Sequence, residues 1–352
     1  MFKALLLLTI LPVASLVAQT YPTIGEVVRL DPRFDQLVAK NAKIEVLASG
    51  FVWAEGPVWV KGSSVPSAPA SGTSATGYLL FSDVPKNTIY RWTPADGCQP
   101  FLTPSGYTGL GVYSDEPGSN GLTIDAQGRL IACEHGDRRV SAMPLTGPGG
   151  KITLADRFQG KRFNSPNDVV THPNGSYYFT DPPYGMMGKE KDPTRETPLF
   201  GVYRVTATGE VSLLISDLVR PNGLAFSPDY KTLYVAQSDD VQPIIRAYPV
   251  LENGTVGAGR TIFDGSSLKK QGLKGAPDGL KVDKQGNLWA TGPGGVLVIA
   301  PDAKGGLGTL LGRIDIGEAT ANCGWGDDGH TLFITADMYL CRIKVLATGP
   351  GF

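Results

Sequence analysis

The 352-residue sequence lacks an excess of either charge, because 32 lysines and arginines stand against 33 aspartates and glutamates, for a formal net charge of -1. It also lacks any run of basic residues. Proteins that bind nucleic acid neutralise phosphates with clustered lysine and arginine side chains. We therefore expect no nucleic-acid partner and a small-molecule ligand instead.

Cysteine is scarce, and the four residues present have spacings that match no zinc-binding pattern. The sequence also has no G-x-S-x-G motif, which argues against a Ser-His-Asp hydrolase on an α/β fold. Two interpretations of the cysteines stay open, namely disulfides in one of several pairings or isolated buried thiols. The four are Cys98, Cys133, Cys323 and Cys341.

Long apolar runs are absent except at residues 4–17, which follow Lys3. This run is too short to span a bilayer and has the length of a signal-peptide core. The sequence therefore predicts a signal peptide over residues 1–19, a periplasmic or secreted protein, and no membrane insertion. A buried N-terminal helix is the alternative. Residues 20–42 are expected to form an N-terminal extension.

Glycine and proline, by contrast, are abundant, with 45 and 27 residues. Both residue types break helix interiors, so their frequency favours short strands joined by turns. The sequence therefore predicts an all-β fold.

A repeated unit organises the chain. Each copy begins with a polar residue, continues as a short apolar run, turns at a segment such as Pro-Asn-Gly, and returns as a second β-rich run. Further runs follow, and units of this length with four strands are typical of propeller blades. The sequence predicts one six-bladed β-propeller over residues 43–352, with residues 43–49 completing the last blade. The leading polar residues are Glu55, Asn120, Asn167, Asn222, Asp278 and Asn322.

These six leading residues form what we name the ring. The first strand of each propeller blade lines the central channel, so equivalent positions converge on one axis. Two carboxylates and several carboxamides facing each other would repel or stay unpaired unless a cation lay between them. The ring therefore predicts a hard divalent cation held by oxygen ligands. For any single Asn-Gly pair, the alternative is that the asparagine only stabilises a turn.

Other candidates follow from the hairpin that joins the first two strands of a blade, because it places the end of the second strand at the ring's rim. Glu134, His135 and Asp181 are therefore expected near the ring. His135 either contacts substrate or is a rim histidine bonded to its neighbours. Residues 182–199 are a candidate lid or an inconsequential surface loop, whereas residues 61–77 are expected to form a solvated excursion at the opposite rim.

Four motifs resemble the SMP-30/gluconolactonase/LRE family, in particular its bacterial gluconolactonase-like members. They are Glu55-Gly-Pro, FNSPND (163–168), RPNGLAFSPD (220–229) and APDGLKVD (276–283). The resemblance covers about residues 45–346. It implies a six-bladed propeller that hydrolyses sugar lactones with a divalent cation, most commonly Ca²⁺, with Zn²⁺, Mn²⁺ or Mg²⁺ as alternatives.

The resemblance also implies roles for single residues. Glu55, Asn222 and Asp278 match metal ligands, and Asn167 matches a position that contacts either the metal or the substrate. Asp278 also matches the proposed general base. Asn120 and residues 133–139 resemble the substrate side of the bacterial members. With the rim position of Asp181, the substrate-binding candidates are Asn120, Glu134, His135, Asn167 and Asp181.

Three functions stay open. The first is a lactonase in which the metal polarises the lactone carbonyl and Asp278 assists the attack of water. The second keeps the ring and the metal but hydrolyses other esters or phosphotriesters, since a fold does not select a substrate. The third is an exported propeller with a structural cation that binds sugar or protein. Two carboxylates in the ring favour hydrolysis over binding alone.

Overall fold

The computed structural model of this chain describes residues 20–62 and 77–352. The predicted signal peptide lies outside these residues, as do residues 63–76 of the expected excursion. No helix in the described part of the chain is long and apolar enough to cross a membrane.

Six blades of antiparallel strands confirm the predicted six-bladed β-propeller. The strands of blades 1 to 3 are Ala54–Lys61, Gly77–Asp83, Thr88–Thr93 and Gly97–Leu102; Ser119–Ile124, Arg129–Glu134, Arg139–Pro144 and Ile152–Ala155; and Val169–Thr171, Tyr177–Asp181, Gly201–Val205 and Val211–Ile215. Those of blades 4 and 5 are Pro221–Phe226, Thr232–Ser238, Pro243–Pro249 and Arg260–Asp264; and Leu280–Val282, Leu288–Gly292, Gly295–Ala300 and Thr309–Asp315. Blade 6 contains Thr320–Gly326, Thr331–Ala336 and Tyr339–Lys344, and its outer strand is Ile44–Ser49.

The first strand of each blade, in the order just given, is its inner strand and contacts the inner strands of both neighbouring blades, so the six surround one channel. Short elements lie outside the blades. They are a hairpin of Arg157–Phe158 and Lys161–Arg162, the 3₁₀-helices Pro32–Gln36 and Lys189–Lys191, and the α-helix Ser266–Lys270.

Blade 6 is closed by a strand from the other end of the chain. Ile44–Ser49 pairs with Tyr339–Lys344, with Ile44 opposite Ile343, as the sequence predicted. The segment expected to be an extension also joins the propeller, because Glu26–Arg29 pairs with the outer strand of blade 5. Phe34 of the first 3₁₀-helix is fully buried and packs in the core cluster that blades 5 and 6 share.

The core lies between neighbouring blades, where their faces interdigitate. Between blades 6 and 1, for example, the rings of Trp59 and Phe333 stack with centroids 5.5 Å apart. No disulfide is present among the described residues, which include all four cysteines, and three of these are buried thiols. Of the two interpretations of the cysteines, the structure therefore supports free thiols.

Candidate functional site

The ring residues lie at the channel, where the pairing between the first and second strands of a blade is irregular. In blades 1, 2, 4 and 6 the register between the first and second strands shifts near the ring residue. Such bulges turn a side chain away from its regular direction and recur beside active sites. The shifts lie between Glu55 and Val58, Ser119 and Leu122, Pro221 and Leu224, and Thr320 and Asn322.

A glycine follows the ring residue in blades 1, 2, 4 and 5 because the next blade lies against it. A Cβ on Gly56 would lie 2.3 Å from the carbonyl oxygen of Asn120, and one on Gly223 would lie 2.2 Å from that of Asp278. Only glycine allows backbones to approach so closely. The Asn-Gly and Asp-Gly pairs therefore allow the inner strands to meet near the axis and do not merely support turns.

A cavity of about 410 Å³ opens at the rim where the inner strands begin, which we name the ring rim. Five of the six ring residues line it, and the sixth, Asn322, is buried nearby without lining it. Loops, strand ends and short helices contribute the remaining polar walls. The lining ring residues are Glu55, Asn120, Asn167, Asn222 and Asp278; loops add Trp53, Glu116, Tyr184, Arg220 and Asp240, strand ends add Ser238 and Thr320, and short helices add Lys189 and Lys269.

Three of the lining carboxyl groups have raised pKa values, and two of them, Glu55 and Asp278, belong to the ring. Burial, and then the charge of Asp168, raise the pKa of Glu55 to about 8, although Trp53 Nε1 and the Gly56 amide donate to its oxygens at 3.3 and 3.2 Å. The pKa of Asp278 lies well above its ordinary range, because of burial first and then the charge of Glu55. Acidic groups are therefore crowded at this end of the channel, and without a cation both carboxyl groups favour their protonated forms at pH 7.

Asp168 is a third carboxylate near the axis that the sequence analysis did not identify. It follows Asn167 at the position where four other blades have glycine, and it is buried. Its Oδ1 accepts a hydrogen bond from the Val169 amide at 2.8 Å, and its Oδ2 has no partner. The departure from glycine within FNSPND was the available signal for this residue.

The lining residues fit a hard cation. Within residues 20–62 and 77–352, no group of three or more His, Cys, Asp or Glu side chains is arranged to hold a metal, so a cation here would also need carboxamide oxygens. Asn222 Nδ2 donates to Ser238 Oγ at 2.8 Å, which leaves its Oδ1 as the free end. Asp278 Oδ1 and Asn120 Oδ1 are buried without a hydrogen-bond partner. Unpaired, buried oxygen atoms of this kind are ligands that Ca²⁺ and similar ions prefer.

Two predicted substrate contacts lie away from the cavity wall. Glu134 is fully buried and pairs with Arg139 and Lys151, each at 2.7 Å. Asp181 is also fully buried, and its Oδ1 accepts a hydrogen bond from the Ser165 amide at 2.8 Å. The structure places both at the expected rim, and their contacts hold loops and strands together.

His135, the third such candidate, lies beneath the start of the predicted lid. It is fully buried, and its Nδ1 contacts the carbonyl oxygen of Glu116 at 3.2 Å. Burial lowers the pKa of His135 to about 4, so its ring is neutral at pH 7. The structure does not bring it to the cavity wall, and this position fits the rim-histidine interpretation.

Residues 182–199 form one side of the cavity, to which they contribute Tyr184 and Lys189. Ser165 Oγ holds the start of this segment, since it donates to the Pro182 carbonyl at 2.6 Å and accepts from the Gly185 amide at 3.0 Å. These contacts fix the segment as a wall of the cavity in this structure.

Of the lining side chains that come from outside the ring, the sequence predicted only those of the segment 182–199, which contributes Tyr184 and Lys189. Trp53 and Arg220 each stand two residues before a ring residue, so their position in the repeat was a usable signal. Glu116 lies in a loop without any repeat, and no pattern singled it out.

A six-bladed propeller whose channel ends in an oxygen-lined cavity is the class of protein that the fold and this site define. A sequence profile of the SMP-30/gluconolactonase/LRE-like region matches residues 53–337. The gluconolactonase of Zymomonas mobilis is 39% identical over 335 residues, which cover 93% of this chain and 88% of that protein. The chain therefore belongs to the SMP-30/gluconolactonase/LRE-like family, as its motifs predicted.

Solved structures agree with this assignment. A gluconolactonase from Xanthomonas campestris has a TM-score of 0.72 and 27% identity, covering 93% of this chain and 99% of that chain. A calcium-binding regucalcin from Agrobacterium tumefaciens has a TM-score of 0.62 and covers 86% of this chain and 94% of that chain. Its identity is 19%, so it supports the fold alone.

Proposed function

We propose that this chain is a metal-dependent hydrolase that opens sugar lactones, and so a carboxylic ester hydrolase. The observation that carries the proposal is the convergence of five polar ring residues on one cavity, where buried carboxylate and carboxamide oxygens lack partners. The identity with the Zymomonas mobilis gluconolactonase supports the substrate class. A cavity of about 410 Å³ is also of a size that encloses a small molecule.

Glu55, Asn167, Asn222 and Asp278 are the residues that would hold the cation, for which we propose Ca²⁺, with Zn²⁺, Mn²⁺ or Mg²⁺ as alternatives. When bound, a divalent cation polarises the lactone carbonyl and stabilises the negative charge that develops on its oxygen. Because carboxylates and amide oxygens supply all the donors, a hard ion suits the site better than a thiophilic one.

The remaining chemistry falls to side chains of the cavity. The positive charge of a bound cation would lower the pKa of Asp278 and keep it ionised, and its buried, unpaired Oδ1 could then take a proton from the attacking water. Asn120 Oδ1 is likewise unpaired and is placed to accept a hydrogen bond from a substrate hydroxyl. Tyr184 and Arg220 enclose the substrate from the loops.

Hydrolysis is favoured over binding alone by Glu55 and Asp278 together, because a binding module with a structural cation needs no open coordination position. The alternatives, a metal-dependent esterase or phosphotriesterase and a sugar-binding or protein-binding propeller, are separated from a lactonase by the substrate panel below. We also propose, from the apolar run at residues 4–17, that the protein is exported to the periplasm or secreted.

The test is turnover of a substrate panel before chelation, after chelation, and after a divalent cation is restored. The panel holds five- and six-membered sugar lactones, an aryl ester and a phosphotriester. We expect lactone opening to be lost on chelation and to return with the cation, while circular dichroism shows a folded protein throughout. Undiminished turnover after chelation would remove the metal from the mechanism, and a metal-loaded protein that opens no lactone would overturn the proposed function.

A further inference from the structure

Glu116 is an acidic residue of the cavity that neither the ring nor the family motifs include. It lies in the loop between blades 1 and 2, and its carbonyl oxygen contacts His135 Nδ1 at 3.2 Å. The next two residues are also fixed to blade 2, because the amides of His135 and Gly136 donate to the carbonyls of Gly118 and Pro117, each at 3.1 Å. Glu116 is therefore held in place at the cavity wall.

The carboxyl group of Glu116 is not committed to another side chain. Its side chain is 30% exposed, and its Oε2 lies 3.9 Å from His135 Nδ1, beyond hydrogen-bond distance. Within the described part of the chain, no hydrogen bond to this carboxyl is present. Its oxygens are thus free to contact a molecule bound in the cavity.

The surroundings of Glu116 also suit proton exchange near neutral pH. Burial raises its pKa to about 7, while the charge of Lys189 lowers the pKa and that of Asp115 raises it again. A carboxyl group with this pKa is present in both protonation states at pH 7. The titratable groups that face it are Lys189, Asp115, His135, Asp278 and Tyr184.

Opening a lactone requires two proton transfers. Water loses a proton as it attacks the carbonyl carbon, and the ring oxygen must gain one as the ring carbon–oxygen bond breaks. An aliphatic alkoxide is a poor leaving group, so a positioned acid accelerates this second step. Asp278 provides for the first transfer only. Glu55, another cavity acid with a raised pKa, is a proposed ligand of the cation, so Glu116 is the acid with a raised pKa that lies outside the proposed ligand set.

We propose that Glu116 is the general acid of lactone opening, an inference that rests on the proposed function. Asp278 takes the proton of water as the new carbon–oxygen bond forms. The bond between the carbonyl carbon and the ring oxygen then breaks, its electron pair goes to the ring oxygen, and the Glu116 proton is transferred there. The product is the open-chain hydroxy acid, and solvent carries the proton of Asp278 back to Glu116.

The test compares Glu116→Gln with the wild type on two lactones whose leaving groups differ. δ-Valerolactone expels an alkoxide, whereas dihydrocoumarin expels a phenolate that departs without an acid. We expect the variant to lose at least about 100-fold in kcat on δ-valerolactone and less than about threefold on dihydrocoumarin. Glu252→Gln is the matched control, since it makes the same change at an exposed residue in a distant turn of blade 4 and should leave both rates unchanged.

Equal losses on the two lactones, or a raised KM with kcat retained, would overturn the acid role. If the wild type accepts only sugar lactones, the variant is assayed on glucono-1,5-lactone with increasing imidazolium buffer. A kcat that rises with the buffer acid in the variant alone supports the proposal, and a buffer-independent kcat contradicts it. A wild type that opens no lactone at all would overturn the proposed function instead.

Discussion

The two ends of the central channel hold cavities of nearly equal size, about 410 Å³ at the ring rim and about 420 Å³ at the opposite rim. Their linings differ. The ring rim has carboxylates, carboxamides and cationic loop residues, whereas the opposite cavity is lined mostly by apolar and aromatic side chains such as Val58, Trp59, Leu122, Phe226 and Trp325. Size therefore does not identify the functional end, but unpaired polar atoms do.

The difference arises within each inner strand. A strand such as Ser119–Ile124 begins with polar residues beside a register shift and continues with apolar ones, so the two ends of the same six strands build two unlike cavities. Because the polar and the apolar residues lie at opposite ends of the inner strands, substitutions at the two ends should have separable effects. The predictions that follow test this separation.

The largest expected effect is that of Asp278→Asn, which removes a charge from the ring and the proposed acceptor of the water proton. We expect turnover of a sugar lactone to fall at least about 100-fold in a folded protein. Asp302→Asn, a turn residue at the opposite rim of the same blade, is the control and should retain full activity. Activity of Asp278→Asn within threefold of the wild type would remove Asp278 from the mechanism.

The second prediction concerns the stability of the chelated protein. The pKa of Glu55 is raised from 4.5 to about 8, so the folded state holds this proton more tightly than the unfolded state. The associated stability is fully present below pH 4.5 and is lost as the pH rises through about 8. We expect Tm in chelator to fall by about 5 °C between pH 5 and pH 8.

Glu55→Gln is the comparison for this second prediction, because it removes the titrating group while keeping a side chain of similar size. Its Tm should change less with pH than that of the wild type in the same chelator. The same slope in both proteins would show that the Glu55 carboxyl does not carry the effect.

A smaller effect is expected from shortening the segment 182–199 so that Lys189 is lost and Tyr184 is kept. Losing one or two hydrogen bonds to substrate, at about 1 kcal/mol each, should raise KM about fivefold or somewhat more. Metal affinity should stay unchanged, because no proposed ligand lies in this segment. Met187→Ser, at an exposed position outside the cavity lining, is the control. Loss of bound metal would mean that the ring is not the metal site.

The smallest effect is expected from replacing residues 63–76 with one glycine, which together with Gly62 leaves the two residues that a hairpin turn needs. Lys61 and Gly77, on either side of this segment, form the last pair between the first and second strands of blade 1. Lys61 also lines the cavity of the opposite rim. We expect kcat and KM within about twofold of the wild type, since the ring rim is untouched. A tenfold loss in a folded deletion variant would contradict the functional division between the two rims.

The repeat made much of this arrangement predictable from the sequence. Equivalent positions in a propeller converge by symmetry, so Glu55, Asn222 and Asp278 could be brought together without coordinates, and the closing strand followed from the need to complete a sixth blade. Hairpin geometry also gave the correct rim for Glu134 and Asp181. Hairpin geometry does not give a residue's distance from the axis or the face of the strand on which its side chain lies. The carboxylates of Glu134 and Asp181 bond to local partners and do not line the cavity.

Residues outside the repeat could not be placed in this way. Glu116 and Tyr184 reach the cavity from loops of irregular length, whose path depends on tertiary contacts such as the Gly185–Ser165 hydrogen bond. Asp168 was missed for another reason. It is in the repeat, but it directly follows a ring residue, at a position that is glycine in four blades and Asp168 or Cys323 in the other two.

The pairing of Ile44–Ser49 with Tyr339–Lys344 also sets the order in which this protein can acquire activity. The ribosome makes the first of these strands almost three hundred residues before the second. The propeller therefore cannot close until nearly the whole described chain has been synthesised. Contacts between segments so distant in sequence form slowly. Until that last pairing, the side chains from blades 1, 3, 4 and 5 have no fixed common centre, and a partly made chain should be catalytically silent.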